Sequence, residues 1–156
     1  PIKALSERFE ARFSRACGSL DKAGNSLGKR VSFHRRMNRE TLLKFLRAMH
    51  LAIDTPSWSG GNTTLDCLAV NLPVVTFAGP SLRSRHTAAM YAQMASEPLR
   101  ERLISRTEEQ LLENLQYLFE GQNLLTLRQE LSKAKLNLYG TDSGVSQFLS
   151  EISLFQ

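Results

Sequence analysis

The side chains best suited to chemistry cluster at residues 54–66, whose sequence is DTPSWSGGNTTLD. Gly60 and Gly61 leave out side chains where the chain turns after a predicted strand, which permits unusual backbone angles and close approach to a ligand. Asn62 to Thr64 then supply amide and hydroxyl groups at the predicted start of a helix. Backbone N–H groups there lack partners within the helix, and the helix dipole favours negative charge. Strand, glycine loop and helix start together form an arrangement that binds phosphate.

Asp66 lies one turn inside this helix, where its carboxylate could accept hydrogen bonds from ribose hydroxyl groups. Another interpretation stays open, because Asn and Thr are ordinary capping residues and an acid in the first turn stabilises a helix. No lysine follows the glycines as in a Walker loop, and their spacing is not the GxGxxG of dinucleotide-binding folds. The residues alone therefore predict either an anion site or a capped helix.

A second group of candidates follows the apolar strand predicted at 73–77. Arg83, Arg85 and His86 come after this strand and could meet phosphate groups. Alternatively, Arg85 pairs with an acidic neighbour and His86 is a polar surface residue. Trp58, which precedes the glycines, could pack over a nucleotide or a sugar, or cap the core.

Alternating helices and short strands are predicted to position these residues. Apolar residues at helical spacing predict helices over 3–16, 40–50, 62–71, 82–94, from Thr107 onward, 122–137 and 143–154. Short apolar runs predict strands over 30–33 (RVSF), 51–53, 73–77 and 102–105.

This alternation predicts a parallel, Rossmann-like α/β sheet with helices on both faces. In such sheets ligands bind beyond the carboxyl ends of the strands, here after Phe33, Asp54 and Phe77. No internal repeat or linker is found. We predict one domain over residues 1–156, with a helical tail at about 107–156.

Composition limits the class of protein. The chain has 156 residues, of which 42% are hydrophobic and 22% charged, as in an ordinary globular domain. No apolar run approaches the roughly 20 residues of a membrane span, and the first residues do not read as a secretory signal. Cys17 and Cys67 lie among hydrophobic neighbours without metal-ligand spacing, which predicts reduced, buried thiols and a cytoplasmic setting.

Charge is unevenly distributed along the chain. Residues 1–50 contain 12 Lys and Arg but 4 Asp and Glu, whereas residues 51–156 contain 8 and 11. A basic half indicates anionic partners such as phosphates, nucleic acid or a membrane surface, or else a solvated face. No zinc-finger or RNP motif is present, so a nucleic-acid partner is not favoured.

A longer block carries a resemblance to a known family. Over roughly residues 29–95 the order and spacing of its motifs hold, namely Asp54-Thr55-Pro56, Gly60-Gly61, Asn62-Thr63-Thr64, Asp66, Pro73 to Thr76, and Gly79 followed by Ser84-Arg85. The block resembles the carboxyl-terminal lobe of the O-linked N-acetylglucosamine transferases. It is most similar to their bacterial relatives with tetratricopeptide repeats, in glycosyltransferase family 41.

The resemblance implies the GT-B architecture, in which two Rossmann-like lobes hold a sugar nucleotide in their cleft. This chain would be the nucleotide-binding lobe. Carried over by position, the residues around the diphosphate of UDP are Gly61, Asn62 and Thr63, with Thr64 and Gly60 beside them. Asp66 would hold the ribose, and Met37 and Arg39 would lie beside the uracil and ribose.

The sequence departs from the animal enzymes at two positions. Gly61 stands where a histidine would contact phosphate, and Leu42 stands where a histidine would stack on uracil. An apolar Leu42 can still cover a base face. The detail of base recognition therefore stays open.

In this family, a Ser or Thr hydroxyl of an acceptor protein attacks the anomeric carbon of the sugar, and UDP leaves. We expect no cofactor and no metal, and we expect the general base to lie outside this chain. The resemblance also implies an amino-terminal lobe, a repeat region and the first strands of this lobe, none of which the 156 residues contain. We therefore expect a fragment that binds UDP weakly and transfers no sugar by itself.

Two other functions remain open. The chain could be a non-catalytic nucleotide- or protein-binding module that kept the lobe and lost the chemistry. A basic nucleic-acid-binding domain ranks below both. The donor sugar also stays open, since glucosamine, glucose and fucose transferases share this kind of lobe.

Overall fold

The computed structural model of the chain describes residues 2–20 and 27–139. The chain divides into two units, residues 1–38 and residues 39–156. The predicted single domain is untested and stays a prediction. The helix predicted at 143–154 lies outside the described residues.

The first unit contains a long helix and an aromatic contact. Helix α1 (Ile2–Leu20) runs beyond the predicted 3–16, and a short 3-10 helix follows at Leu27–Arg30. The strand predicted at 30–33 is wrong, because the residues after Arg30 are irregular. A strand needs a neighbour for its backbone hydrogen bonds, and Phe33 instead packs edge-on against Phe9 and Phe13 at 6.3 and 5.9 Å between ring centroids.

The second unit holds a parallel sheet flanked by helices. Its strands are β1 (Ala52–Ile53), β2 (Val74–Phe77) and β3 (Ile104–Ser105). Its helices are α2 (Arg39–Ala48), α3 (Asn62–Ala69), α4 (His86–Met94), α5 (Glu97–Leu103), α6 (Glu108–Phe119), α7 (Asn123–Ala134) and α8 (Leu136–Tyr139).

The sheet has the order β1-β2-β3 with all strands parallel, as predicted. In the register, Ala52 pairs with Val74 and Thr76 pairs with Ile104. Successive residues of the central strand, from Val74 to Thr76, are all buried. Since successive side chains point to opposite faces of a sheet, both faces of β2 are covered.

The predicted helix at 82–94 is interrupted. A 3-10 helix at Leu82–Ser84 precedes α4. The Ser84 hydroxyl donates to the Ser81 carbonyl at 2.7 Å, a local bond that competes with continuation of a helix. The predicted α-helix therefore begins only at His86.

Helix α5 was not predicted. Its short sequence EPLRERL carries a proline in the first turn and two apolar residues, Leu99 and Leu103, that are fully buried. Seven residues give too little periodicity to distinguish a helix from a loop. The helix predicted over 122–137 is observed as α7 and α8, and the helix predicted over 62–71 ends earlier, at Ala69.

The core lies between the sheet and the helices, and Tyr91 connects the two. Tyr91 is fully buried, and its hydroxyl donates to the Val74 carbonyl and accepts from the Val74 N–H, both at 2.9 Å. Burial raises the pKa of this phenol, so it stays neutral. The contact fixes α4 on the first residue of β2.

Candidate functional site at the carboxyl end of the sheet

Asp54 organises the loop that follows β1. Its side chain is buried, and its N–H continues the sheet by donating to the Val75 carbonyl at 2.8 Å. One carboxylate oxygen, Oδ1, accepts from the backbone N–H groups of Thr55 at 2.9 Å and Gly60 at 2.7 Å. These two bonds fold the loop back onto the strand end and set where α3 begins.

The other oxygen of Asp54 gathers three hydroxyl groups. Oδ2 accepts from Ser59 at 2.5 Å, Thr76 at 2.9 Å and Thr87 at 2.8 Å. Burial alone raises the pKa of Asp54, but the hydrogen bonds from Ser59, Gly60, Thr87 and Thr76 outweigh it and leave the pKa below its ordinary value. The carboxylate is therefore ionised at neutral pH and acts as an anchor for the loop, the strand β2 and the start of α4.

Thr64 belongs to the same buried network. Its hydroxyl lies 3.0 Å from the Thr87 hydroxyl, and the Thr87 N–H donates to Ser59 Oγ at 3.0 Å. Gly60 is required here, because a Cβ atom at this position would lie 2.6 Å from Thr64 Oγ1. Thr64, predicted beside the diphosphate, thus points into the interior and ties α3 to α4.

The start of α3 is open to solvent. Gly61 occupies the N-cap position and has no side chain with which to cap the first turn. Gly61, Asn62 and Thr63 are exposed, and a Cβ at Gly61 would meet nothing within 4 Å. The intrahelical bonds begin with the Leu65 N–H, which donates to the Gly61 carbonyl at 3.1 Å. The positive end of the helix dipole is therefore accessible to an anion.

Arg39 and Asp66, both predicted around the nucleoside, contact each other. Arg39 Nη2 and Nε lie 3.1 and 3.3 Å from Asp66 Oδ1. The Arg39 side chain is 77% exposed and that of Asp66 16%. Leu42, one turn further along α2, is half-buried and packs against the core. Because Arg39 is exposed to solvent, this pair contributes about 0–1 kcal/mol, and a ligand hydroxyl can replace it at little cost.

Trp58 and Arg83 form the rim beside this helix start. Trp58 is 64% exposed, and the Arg83 guanidinium carbon lies 5.1 Å from the centroid of its ring system. The Ser59 N–H donates to the Arg83 carbonyl at 2.8 Å, and the Thr55 hydroxyl donates to the Trp58 carbonyl. Trp58 therefore does not cap the core, and its ring is exposed to solvent near the carboxyl ends of the strands.

The remaining predicted residues lie at the edge of the site or apart from it. Arg85 Nε donates to the Gly79 carbonyl at 2.7 Å, so a backbone carbonyl takes the place of the expected acidic partner. His86 is the first residue of α4 and is half-buried. Met37 is half-buried in the first unit.

Sequence reasoning missed the three residues on which the site depends most, namely Asp54, Ser59 and Thr87. Asp54 was recognised only as a strand end. The available signal was an aspartate directly after a buried strand, where an unpaired charge would be costly.

Within the described part of the chain, no cluster of three or more His, Cys, Asp or Glu side chains could hold a metal ion, and no helix is long and apolar enough to cross a membrane.

A comparison with solved structures adds a strong similarity. No family model and no curated protein sequence match the chain. Among solved structures, it is similar to a mutant of the Thermobaculum terrenum O-GlcNAc transferase, with a TM-score of 0.74 and 28% sequence identity. The α/β fold matches that of an O-GlcNAc transferase lobe. The similarity covers 93% of this chain but 26% of that chain, so the chain spans about a quarter of the length of its neighbour.

Proposed function

We propose that this chain is the donor-nucleotide-binding lobe of a glycosyltransferase of the O-GlcNAc transferase kind, in family 41 and of the bacterial type with tetratricopeptide repeats. The observation that carries the proposal is the uncapped start of α3, held by Asp54 at the carboxyl end of a parallel sheet. The similarity to an O-GlcNAc transferase over 93% of the chain supports it. Transfer of N-acetylglucosamine from a UDP-sugar to a protein hydroxyl is the activity proposed for the complete enzyme.

The diphosphate would bind at the start of α3. The backbone N–H groups of Asn62 and Thr63, together with the Asn62 side-chain amide, are exposed at the positive end of the helix and are suited to donate to phosphate oxygens. Gly61 leaves room for this approach, because its position has open space where a side chain would stand. Thr64 supports the site from below through the buried hydroxyl network.

The nucleoside would lie between α2 and α3. Asp66 would accept hydrogen bonds from the ribose hydroxyls in place of its exposed bond with Arg39. Arg39 would then be free to turn toward the phosphates. Leu42 would offer an apolar surface to the base. Trp58 and Arg83 at the rim would face the sugar.

In the proposed reaction, an acceptor hydroxyl oxygen forms a bond to the anomeric carbon. The bond from that carbon to the diphosphate breaks, and UDP leaves with the electron pair. The hydroxyl proton would pass to a base, which we expect outside this chain. The diphosphate gains charge as the bond breaks, and the α3 N–H groups, with Arg39 or Arg83, would stabilise that charge.

Calorimetric titration with UDP tests the site. We expect binding that Asn62→Ala and Asp66→Ala each weaken about tenfold, as the loss of one charge-assisted hydrogen bond predicts. Gln116→Ala, an exposed change on α6, is the matched control and leaves the affinity unchanged. Because a lobe alone is expected to bind weakly, the titration is repeated with the lobe joined to an amino-terminal lobe. Equal affinity in all variants, or no binding in the two-lobed protein, would contradict the proposal.

A non-catalytic nucleotide-binding module is the second candidate. It is favoured by Gly61 and Leu42, which stand where the related animal enzymes carry histidines. Turnover of UDP-N-acetylglucosamine by the two-lobed protein separates the candidates, since a module binds UDP without turnover.

Cys17 and Cys67 are buried free thiols, which supports the proposed cytoplasmic setting.

A further inference from the structure

A cavity lined by three arginines lies between α4, α5 and the end of β3. It measures about 260 Å³, slightly less than most small-molecule sites. Arg106 directly follows β3, and Ala78, which also lines the cavity, directly follows β2. The cavity therefore opens at the carboxyl ends of these two strands, where parallel α/β sheets bind their ligands. None of its lining residues belongs to α3 or to the glycine loop, so it is separate from the candidate nucleotide site.

Backbone hydrogen bonds bring Arg85 and Arg106 to the same place. The Ala78 N–H donates to the Ser105 carbonyl at 2.8 Å, which continues the pairing of β2 with β3. Arg106 comes directly after Ser105, and neighbouring strands lie about 4.8 Å apart. Arg85 Nε donates to the carbonyl of Gly79, the residue after Ala78, at 2.7 Å. This bond fixes the Arg85 guanidinium on the loop that runs beside Arg106.

The guanidinium groups are accessible to a ligand. Arg85, Arg100 and Arg106 are all exposed. The bond to Gly79 uses only Nε of Arg85, so both Nη nitrogens keep protons to donate from the solvent side. Within the described residues, no hydrogen bond or ion pair engages the Arg106 guanidinium, since its printed bond is made by the backbone N–H.

The charge around the cavity is positive. The three arginines contribute three positive charges, and none of the described residues that line the cavity is acidic. Arg100 Nη1 lies 3.2 Å from Oε2 of Glu97, which offsets one of these charges. The carboxyl end of α5 adds about half a negative charge. About one and a half positive charges therefore remain, on groups that repel one another when no anion lies between them.

Small side chains make room for such an anion. Positions 85, 88 and 92 are spaced by three and four residues, so they share one face of α4. Ala88 and Ala92 follow Arg85 on this face, and Ala78 lies opposite them at the end of β2. A methyl group at each of these three positions leaves open the space that a larger side chain would fill.

We propose that this cavity binds the phosphoryl group of a small phosphate compound. A phosphate carries about one and a half to two negative charges at neutral pH, which matches the charge that remains. Its oxygens also fit the planar pair of donors that a guanidinium offers. Arg85 and Arg106 would donate to different oxygens, and Arg100 would add charge from α5. Inorganic phosphate and a phosphomonoester share this group, and a titration distinguishes them.

Inorganic phosphate and glycerol 3-phosphate are the probes, and nitrate, which carries a single charge, is the comparison. Each is titrated at constant ionic strength into the ¹⁵N-labelled 156-residue chain, and the Nε–H resonance of Arg85 is followed. Both phosphates are expected to shift this resonance and to bind about tenfold more tightly than nitrate, because they make more charge-assisted hydrogen bonds. The more tightly bound of the two identifies the source of the phosphoryl group.

Two matched pairs of variants assign the effect. Arg106→Gln should weaken phosphate binding about tenfold, whereas Lys133→Gln, an exposed change on α7 that removes the same charge, should leave it unchanged. Ala92→Leu should also weaken it, because the larger side chain fills the cavity. Ala89→Leu, at an exposed position of α4 that does not line the cavity, is the control.

Three outcomes would overturn the proposal. The first is an Arg85 resonance that does not move, including the case in which phosphate shifts only the amides of Asn62 and Thr63 at the nucleotide site. The second is equal affinity for nitrate and the two phosphates, which would mean a general attraction of anions. The third is equal phosphate affinity of the two members of either pair of variants.

Discussion

A single carboxylate determines the local geometry of the candidate site. Asp54 accepts two backbone N–H bonds and three hydroxyl bonds, from residues as far along the chain as Thr87. With all these donors directed at it, Asp54 has no lone pair left for a substrate. Its contribution to binding is indirect, because it positions the start of α3 beside the rim residue Trp58.

Replacing Asp54 tests this anchoring role. Asp54→Asn keeps the shape but turns an amide NH₂ toward groups that donate, so we expect a loss of about 2–3 kcal/mol in the free energy of unfolding at neutral pH. Urea denaturation measures it. Asp66→Asn, at the partly exposed carboxylate, should cost about 0–1 kcal/mol and is the control. Equal losses in the two variants would show that Asp54 is no anchor.

The lowered pKa of Asp54 predicts that the free energy of unfolding depends on pH. The pKa of Asp54 is lowered in the folded chain, so its ionised form stabilises the fold above the ordinary aspartate pKa of about 3.9. This stabilisation is lost as the pH falls through the lower pKa of the folded state. Unfolding free energies of the wild type and Asp54→Asn should therefore converge in acid. A difference that stays constant from neutral pH to acid would contradict the assignment.

Two adjacent glycines provide a matched pair of tests. Gly60→Ala forces a Cβ to 2.6 Å from Thr64 Oγ1 and should cost about 1–3 kcal/mol of stability. Gly61→Ala meets open space but puts a poor capping residue at the N-cap, so it should cost about 1 kcal/mol, and it should weaken UDP binding by crowding the diphosphate. Thermal unfolding and UDP titration separate the two effects. A Gly61 variant with unchanged UDP affinity would place the phosphates elsewhere.

The sequence located the residues of the site better than it located their contacts. Gly61, Asn62 and Thr63 were predicted from local chemistry and are exposed at the helix start. The role of Asp54 could not be predicted, because its partners Thr76 and Thr87 lie 22 and 33 residues away. Hydrogen bonds over that distance depend on how the strands and helices pack.

At the scale of elements, the three strands that pair with one another were predictable, whereas the strand predicted at 30–33 is not observed. The run at 73–77 is continuously apolar, as expected of a central strand, and β2 is buried on both faces. The run RVSF has the same local character, but residues 31–33 are irregular. Strand formation depends on a neighbouring strand, which local sequence does not encode. Short helices such as α5 are hard to predict for a related reason, because one or two turns contain too few residues to show a helical period.

The start of α6 offers a test of local structure. Thr107 was predicted as the cap, and its hydroxyl accepts from the Gln110 N–H at 3.1 Å, while Gln110 Oε1 accepts from the Arg106 N–H at 2.9 Å. Thr107→Ala should cost about 1 kcal/mol in urea unfolding, and Thr107→Ser, which retains the hydroxyl, should cost little. Equal stability of the alanine and serine variants would show that the bond contributes nothing.

At the scale of the whole molecule, the excess positive charge is only partly explained. Arg39 and Arg83 lie by the candidate nucleotide site. Most of the other cations of residues 1–50 lie in the first unit. If these cations bound nucleic acid, association should be steeply salt-dependent. Undetectable oligonucleotide binding at low salt would exclude that function.

A buried thiol connects the stability of the second unit to its ligand. Cys67 follows Asp66 in α3 and is 3% exposed, and burial, with the charges of Asp66 and Asp54, raises its pKa to about 11. In a Cys17→Ser variant, a disulfide reagent should therefore label Cys67 only when the unit opens. A ligand that binds only the folded form slows this opening, by about a hundredfold at a concentration 100 times its dissociation constant. UDP should protect Cys67, uridine without the diphosphate should protect it much less, and Asn62→Ala should remove most of the protection. If UDP does not slow the labelling, nucleotide binding is contradicted but the described fold is not. Rapid labelling without UDP would show that α3 is not packed as described.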